Sequence, residues 1–372
     1  MEKEIHNDGI VLFVSNRTDA GENGARLQQA VDKLALVSAT KRKIQIVIVG
    51  SEEAVKKRVP VERRRTIEAV VVDSAVEEIL SLTLLPSLRL VASSWAGVDS
   101  LMGAVGALND AVTRNGTGNC TLGPAVLLVR LVDPLMAQRM TQTVTGHVLG
   151  WHLGLGDYSM QQRRREWRKR PAPPPSAVRR VVLLGFGALG LQVARALVSL
   201  GFTDLAAWAT SPRSVPISTI TTSDAVTIHT IQIRAGHDAL TALFSSADVV
   251  INLLPLTPAS ENSINYTLFS KMLRKHSVFM NFGRGRTVVA DDLLRAIDDP
   301  SVGLNSAVLD VFATEPLSND SPLWNHPKIT ITPHIAAVTD YSSAANTLAN
   351  TLAKFYSGKF DFEGLVDFEK GF

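Results

Sequence analysis

The sequence predicts an α/β protein of two doubly wound domains, on three observations. β-Branched runs of strand length alternate with helix-length amphipathic runs from the N-terminus to about residue 333, the pattern that builds parallel sheets. A proline-rich stretch, "RKRPAPPPSAVRR" (168–180), breaks that alternation; it cannot be helical and reads as a stiff surface linker. The chain has 372 residues, 45% apolar and 20% charged, an ordinary globular composition but long for one domain.

The elements follow in order. "GIVLFVSN" (9–16) and "KIQIVIVG" (43–50) read as strands, with "ARLQQAVDKLALV" between them as a helix. "LRLVASSWAGVD" (88–99) is a strand running into a Gly-containing loop, and a loop from Gly103 to Gly123 precedes the strand of "GNCTLGPAVLLVR". Asp133-Pro134 opens a long helix, Asp as N-cap and Pro as its first residue. Met136, Met140, Val144 and Val148 recur along one face of that helix. In the tail, "SSAANTLANTLAKFYSG" carries Leu348, Leu352 and Phe355 on one helical face, and Gly358 can end it.

Charge and cysteine content exclude several functions. A net charge of +3 is too small to argue for nucleic acid. The basic runs "KKRVPVERRR" (56–65) and "RRREWRKR" (163–170) read as solvated helix faces and a linker edge. With one cysteine, Cys120, no intrachain disulfide and no Cys-based zinc site can form, and no metal is expected. "MEKEIHNDGI" is no secretory signal, and no apolar run is long enough to span a bilayer. A cytoplasmic protein is the expectation.

The strongest local signal is "RRVVLLGFGALGLQVARALVSLGF". Val181 to Leu184 form a buried strand. Gly185, Gly187 and Gly190 give G-x-G-x-x-G, and Leu189, Val193 and Leu197 continue as a helical stripe ended by Gly201. Such glycines provide a tight turn, close approach of backbone to a pyrophosphate, and close helix–strand packing, while the helix N-terminus meets the phosphate charge. Strand before and helix after are the context that makes this a dinucleotide site. An NAD site wants an acid at the end of the next strand. Here "LAAWA" is followed by "TSPRS", without one. Thr210, Ser211 and Arg213 offer hydroxyls and a cation to a 2′-phosphate, so NADP(H) is preferred and NAD(H) remains possible. Taken alone, Arg213 also reads as a solvated loop residue.

Three later segments bring unusual polar residues to strand ends. Arg284 follows "VFMNFG" between Gly283 and Gly285, where its fork can bind a carboxylate bidentately. "SAVLDVFATEPL" carries Asp310 within a strand and Glu315 just beyond it. "ITITPHIAAV" carries His334, with its apolar neighbours read as strand. Ligands of open α/β sheets sit outside the carboxyl ends of strands, so these groups can converge. Singly, each has a bland explanation: His334 as a core histidine, Glu315 as a turn cap, Asp310 as an acceptor for backbone N–H groups, Trp324 as packing.

Together the segments resemble the D-isomer-specific 2-hydroxyacid dehydrogenases, above all their short glyoxylate/hydroxypyruvate reductase branch. The matching pieces are "SSWAGVDSL", "LLGFGALGLQVA", "VVINLLPLTPAS", "NFGRGRTVVADDLL", "AVLDVFATEPL" and "SPLWNHPKITITPHIAAVT". The resemblance implies two Rossmann-like domains with a cleft between them. A flavodoxin-like substrate domain would comprise 1–145 and 339–372, and a dinucleotide-binding domain 146–338. It implies Arg284, Glu315 and His334 as the catalytic set. Trp95, Ala96 and Gly97 would bind substrate, with Arg130 a further candidate that also reads as an ordinary salt-bridge residue. Ala188, Leu189, Leu254, Pro255 and Asp310 would join the glycines on the cofactor side. The reaction implied is reduction of a 2-keto acid by NADPH, or its reverse. His334 would be the proton donor, since a neighbouring carboxylate favours the imidazolium. Hinge closure and a homodimer are further expectations. Two departures stand out: Gly283 replaces the family's usual Ala, and the loop 103–123 is longer than the branch norm. The alternative is a dinucleotide-sensing, corepressor-like interaction protein on the same fold, which the lack of long flanking segments disfavours.

Overall fold

The computed structural model describes residues 9–37, 44–73, 80, 84–114, 126–220 and 226–371. The chain divides into two compact units, Met1–Leu135 with Thr339–Phe372, and Met136–Val338. The first boundary falls before the expected residue 145, because Met140, Val144 and Val148 already bury into the core of the second unit.

The first unit holds a five-stranded sheet of β1 (Gly9–Val14), β2 (Ile44–Val49), β3 (Ala69–Val72), β4 (Leu90–Ser93) and β5 (Leu127–Val129). The order is β2-β1-β3-β4-β5, all parallel. This is the flavodoxin-like winding. Alternation of side chains sends Ile10, Leu12 and Val14 to one core and Val11 and Phe13 to the other, so β1 is apolar throughout. Its helices are α1 (Ala20–Val37), α2 (Glu52–Arg58), α3 (Val61–Arg64) and α4 (Asp99–Arg114). The basic run 56–65 thus falls largely on two short, exposed helices.

The second unit begins within α5 (Pro134–Leu153), which is followed by α6 (Leu155–Arg164). Its sheet has eight strands: β6 (Val181–Leu184), β7 (Leu205–Trp208), β8 (Arg213–Ile220), β9 (Val226–Arg234), β10 (Val249–Asn252), β11 (Ser277–Asn281), β12 (Leu304–Leu309) and β13 (Ile329–Ile331). The order is β13-β12-β11-β10-β6-β7-β9-β8, parallel except that β8 runs antiparallel to β9. Without that hairpin arm, β9-β7-β6-β10-β11-β12 is the doubly wound dinucleotide-binding order. The helices α7 (Ala188–Ser199), α8 (His237–Ser246), α9 (Tyr266–Phe269) and α10 (Ala290–Asp298) complete the unit. The last helix, α11 (Tyr341–Tyr356), returns to the first unit, where Ala344, Leu348, Leu352 and Phe355 pack with Val11 and Phe13. Asp340 caps α11 through the N–H groups of Ser342 and Ser343. Gly358, at φ +72°, ends it.

Four expectations about local structure need correction. The first part of the loop 103–123 is helix, since Leu101, Val105 and Leu108 recur at helical spacing and bury; residues 115–123, Cys120 included, lie outside the described residues. Strand β12 ends at Leu309, so Asp310 follows the strand. Strand β13 ends at Ile331, and "HIAAV" is loop: Ile335 is 49% and Val338 50% exposed, not a dry strand around His334. Trp324, read as packing, is 46% exposed, and its indole N–H is donated to the Ser318 carbonyl.

Candidate active site

Gly185, at φ +91°, turns the chain sharply out of β6, and a Cβ there would lie 2.9 Å from the Leu253 carbonyl oxygen. A Cβ on Gly190 would lie 2.5 Å from the Gly185 carbonyl, so that glycine lets α7 pack against the turn. Gly187 differs: nothing lies within 4 Å of its Cβ position. It caps α7 without a side-chain bond, and the first-turn N–H groups of Ala188, Leu189 and Gly190 lack intrahelical acceptors. Open space above a helix N-terminus, walled by two compulsory glycines, fits a pyrophosphate.

Beyond β7 no acid follows Trp208. Arg213 folds back over the glycine turn, its Nη2 donating to the Phe186 carbonyl at 2.6 Å and its Nη1 to the Ser211 carbonyl at 3.3 Å. Thr210 and Ser211 form the exposed link between β7 and β8. Leu254 and Pro255 follow β10, with the Leu254 N–H on Asn252 Oδ1 at 3.2 Å and the Pro255 carbonyl accepting from Ser260 Oγ at 2.6 Å.

The turn bearing Arg284 leaves β11 and is fixed from beneath by groups the sequence reading passed over. Asn252 and Asn281 end the adjacent strands β10 and β11. Asn252 Nδ2 donates to Asn281 Oδ1 at 2.9 Å and to Thr287 Oγ1 at 2.8 Å, and both residues are essentially buried. Thr287 Oγ1 donates to the Arg284 carbonyl at 2.6 Å, and Asn281 Oδ1 accepts from the Gly283 N–H at 3.2 Å. Buried polar groups paired this fully set one backbone path. Asparagines ending two apolar strands were the available signal.

The flanking glycines have a steric reason. A Cβ on Gly285 would lie 1.8 Å from the Phe312 carbonyl carbon, and one on Gly283 would lie 2.6 Å from the Leu254 oxygen. The Arg284 turn is thus wedged between two backbone segments. Gly283→Ala, although it restores the family's usual residue, is expected to destabilise this protein by about 1–3 kcal/mol through overpacking. Thermal unfolding of the two forms checks this.

Glu315 and His334 come together. His334 Nδ1 lies 2.7 Å from Glu315 Oε2. Glu315 Oε1 in turn accepts from the Phe312 N–H at 2.8 Å, so the carboxylate is held at both oxygens. The His334 side chain is 51% exposed and that of Glu315 35%. His334 sits at φ +53°, an uncommon backbone region for a non-glycine residue. Its own N–H binds the Asp310 carbonyl at 2.9 Å.

Asp310, expected on the cofactor side, is 1% exposed. Its Oδ1 accepts from Thr332 Oγ1 at 2.6 Å and the Ile335 N–H at 2.9 Å, and its Oδ2 from the Ala336 N–H at 3.0 Å. All three bonds go to the segment that carries His334. The acceptor role for backbone N–H groups, the bland alternative, is the one these contacts display.

In the first unit, Trp95 is 42% exposed, with its indole N–H on the Asp73 carbonyl at 2.6 Å and its backbone N–H on Ser93 Oγ at 3.1 Å. The Arg17 guanidinium lies over the Trp95 ring at 5.4 Å. Ala96 and Gly97 continue this half-buried loop. Asp73 is fully buried, and burial pushes its carboxyl above the usual range although Ser15 and Ser94 each donate to it at 2.8 Å. Arg130 follows β5, half-buried, and burial lowers its pKa against the opposing charge of Glu363.

The model for the D-isomer specific 2-hydroxyacid dehydrogenase NAD-binding domain matches residues 145–336, more than half of the chain. This chain belongs to the D-isomer specific 2-hydroxyacid dehydrogenase family. It is therefore an NAD(P)-dependent oxidoreductase, and the glycine cradle lies in the matched domain. Solved structures agree in fold. A D-isomer specific 2-hydroxyacid dehydrogenase from Xanthobacter autotrophicus Py2 aligns at TM-score 0.74 with 24% identity, over 98% of this chain and 100% of that one. A probable 2-hydroxyacid dehydrogenase from Rhizobium etli CFN 42, solved with NADP, HEPES and L(+)-tartaric acid, aligns at 0.71 with 25% identity, over 98% and 99%. An NADPH-dependent glyoxylate/hydroxypyruvate reductase from Sinorhizobium meliloti, solved with NADP and sulfate, aligns at 0.70 with 26% identity, over 98% and 100%. Among the described residues of this dehydrogenase, no helix is long and apolar enough to cross a membrane.

Proposed function

We propose that this protein reduces a small 2-keto acid, such as glyoxylate or hydroxypyruvate, to the D-2-hydroxy acid with NADPH. The observation that carries the reading is the His334–Glu315 pair at 2.7 Å, in the same unit as the glycine cradle and Arg284. When bound, the reduced nicotinamide supplies the hydride. His334 donates a proton from Nε2 to the carbonyl oxygen as negative charge develops there, because its Nδ1 is committed to Glu315. Glu315 orients the ring by holding its Nδ1 side. Arg284 holds the substrate carboxylate and polarises the carbonyl. In this reading Trp95, Ala96, Gly97 and Arg130 bind the substrate, and Leu254, Pro255 and Asp310 lie beside the cofactor.

NADPH is preferred over NADH in this reading. The end of β7 lacks the acid that would bind a free ribose hydroxyl, and Arg213 stands beside the glycine turn. The relatives from Rhizobium etli and Sinorhizobium meliloti were both solved with NADP. Reduction of a panel of 2-keto acids with NADPH and with NADH tests substrate and cofactor together. Arg213→Ala is expected to raise KM for NADPH about 10- to 100-fold, the worth of one charge-assisted hydrogen bond, and to leave NADH turnover nearly unchanged. Equal loss with both cofactors would contradict the 2′-phosphate role.

A further inference from the structure

The apolar face of α5 anchors it in the core through Met140, Val144 and Val148. A second stripe of the same helix has no part in the function proposed above. Arg139, Thr143 and His147 recur at every fourth residue and so share one face. Arg139 Nη1 donates to the Val338 carbonyl at 2.8 Å, and Thr143 Oγ1 donates to the Ala336 carbonyl at 3.4 Å. One turn further on, the His147 ring packs against Phe282, centroids 5.8 Å apart at 39°. Phe282 stands two residues before Arg284, and Ala336 and Val338 stand just after His334.

The loop after His334 is thereby held from two sides by different groups. Its N–H donors at Ile335 and Ala336 go to the Asp310 carboxylate, while its carbonyls at Ala336 and Val338 go to α5. That pairs four polar backbone groups of a short loop that no strand or helix satisfies. His147 supports the packing role: burial lowers its imidazole pKa, with the charge of Asp310 opposing, which favours the neutral ring against Phe282.

We propose that α5 is a brace for the active site, and that Arg139, Thr143 and His147 are positioning residues that hold the His334 loop and the Arg284 turn in register. The inference rests on the reading of His334 as proton donor. Displacing a reacting group by about 1 Å can slow a reaction by up to about 10²-fold, so loss of the brace should be read in the chemical step.

The test compares wild type with Arg139→Leu/Thr143→Val, Arg139→Lys and the nearly isosteric Thr143→Val. Measured for each are kcat and KM with hydroxypyruvate and NADPH, and the isotope effect on kcat with NADPH deuterated at the transferred position. The double variant is expected to lose about tenfold or more in kcat, with KM for NADPH changed by less than about twofold and a larger isotope effect. Arg139→Lys should recover part of the loss. A general loss of folded protein would lower kcat without changing the isotope effect. If the double variant does not fold, Thr143→Val carries the test, with a smaller change in the same directions. Wild-type kcat and isotope effect in the folded variants, alongside an inactive His334→Gln, would overturn the brace alone. Full activity in His334→Gln, or no wild-type activity on any 2-keto acid, would overturn the functional reading and the brace with it.

Discussion

His334→Gln should lower the rate of 2-keto acid reduction by about 10²–10⁴-fold, the usual contribution of a positioned acid–base group, while NADPH binds as in the wild type. Glutamine can keep a hydrogen bond to Glu315 but cannot deliver a proton. The cradle for the pyrophosphate lies at β6 and α7, built by Gly185, Gly187 and Gly190, and does not draw on His334. Fluorescence titration of NADPH and steady-state turnover separate the two effects. Wild-type reduction should also fall as pH rises, because the donor is the imidazolium and alkaline pH removes its proton. In the oxidation direction the sign reverses, since the neutral ring must then accept a proton.

Asp310→Asn should be the second large effect, and it differs in kind. The carboxylate accepts the Thr332 hydroxyl and the N–H groups of Ile335 and Ala336 while almost wholly buried. An amide keeps one acceptor oxygen and turns a donor toward groups that are donors themselves. Each buried group left unpaired costs about 1–3 kcal/mol, so the melting temperature should fall. The released loop bears His334, so turnover should fall by about 10- to 100-fold as well. A variant that keeps its stability and turnover and only binds NADPH more weakly would show Asp310 to be a cofactor ligand and no anchor.

The parts of the fold legible in the sequence were those with a strong period. Strands β1, β6 and β11 are largely apolar runs because parallel strands are covered on both faces. The long helix α5 showed its cap, its proline and one apolar stripe. Its other stripe was not legible, since Arg139, Thr143 and His147 look like ordinary exposed-face residues until the carbonyls they meet are placed by the fold. The antiparallel arm β8 was also missed. Its polar alternation and Pro216 resemble loop, and proline is tolerated there because β8 is an edge strand.

The candidate site divides the same way. Arg284, Glu315 and His334 stood out by residue type at strand ends, and G-x-G-x-x-G by spacing. What aims them did not. Asn252 and Asn281 act through a contact between neighbouring strands, and the flanking glycines of Arg284 through the approach of Leu254 and Phe312, which are distant in sequence. The apolar run after His334 misled, because Ala336 is buried by Asp310 and α5 in a loop and not in a strand.

The most direct test of the central claim, that His334 protonates the substrate, is a single-turnover measurement. Enzyme preloaded with NADPH is mixed with hydroxypyruvate across acid to alkaline pH, and loss of nicotinamide absorbance is followed in wild type and His334→Gln. The account predicts a rate that falls with rising pH in the wild type, and a slow rate in the variant without that dependence. A variant as fast as the wild type, with the same pH profile, would contradict it.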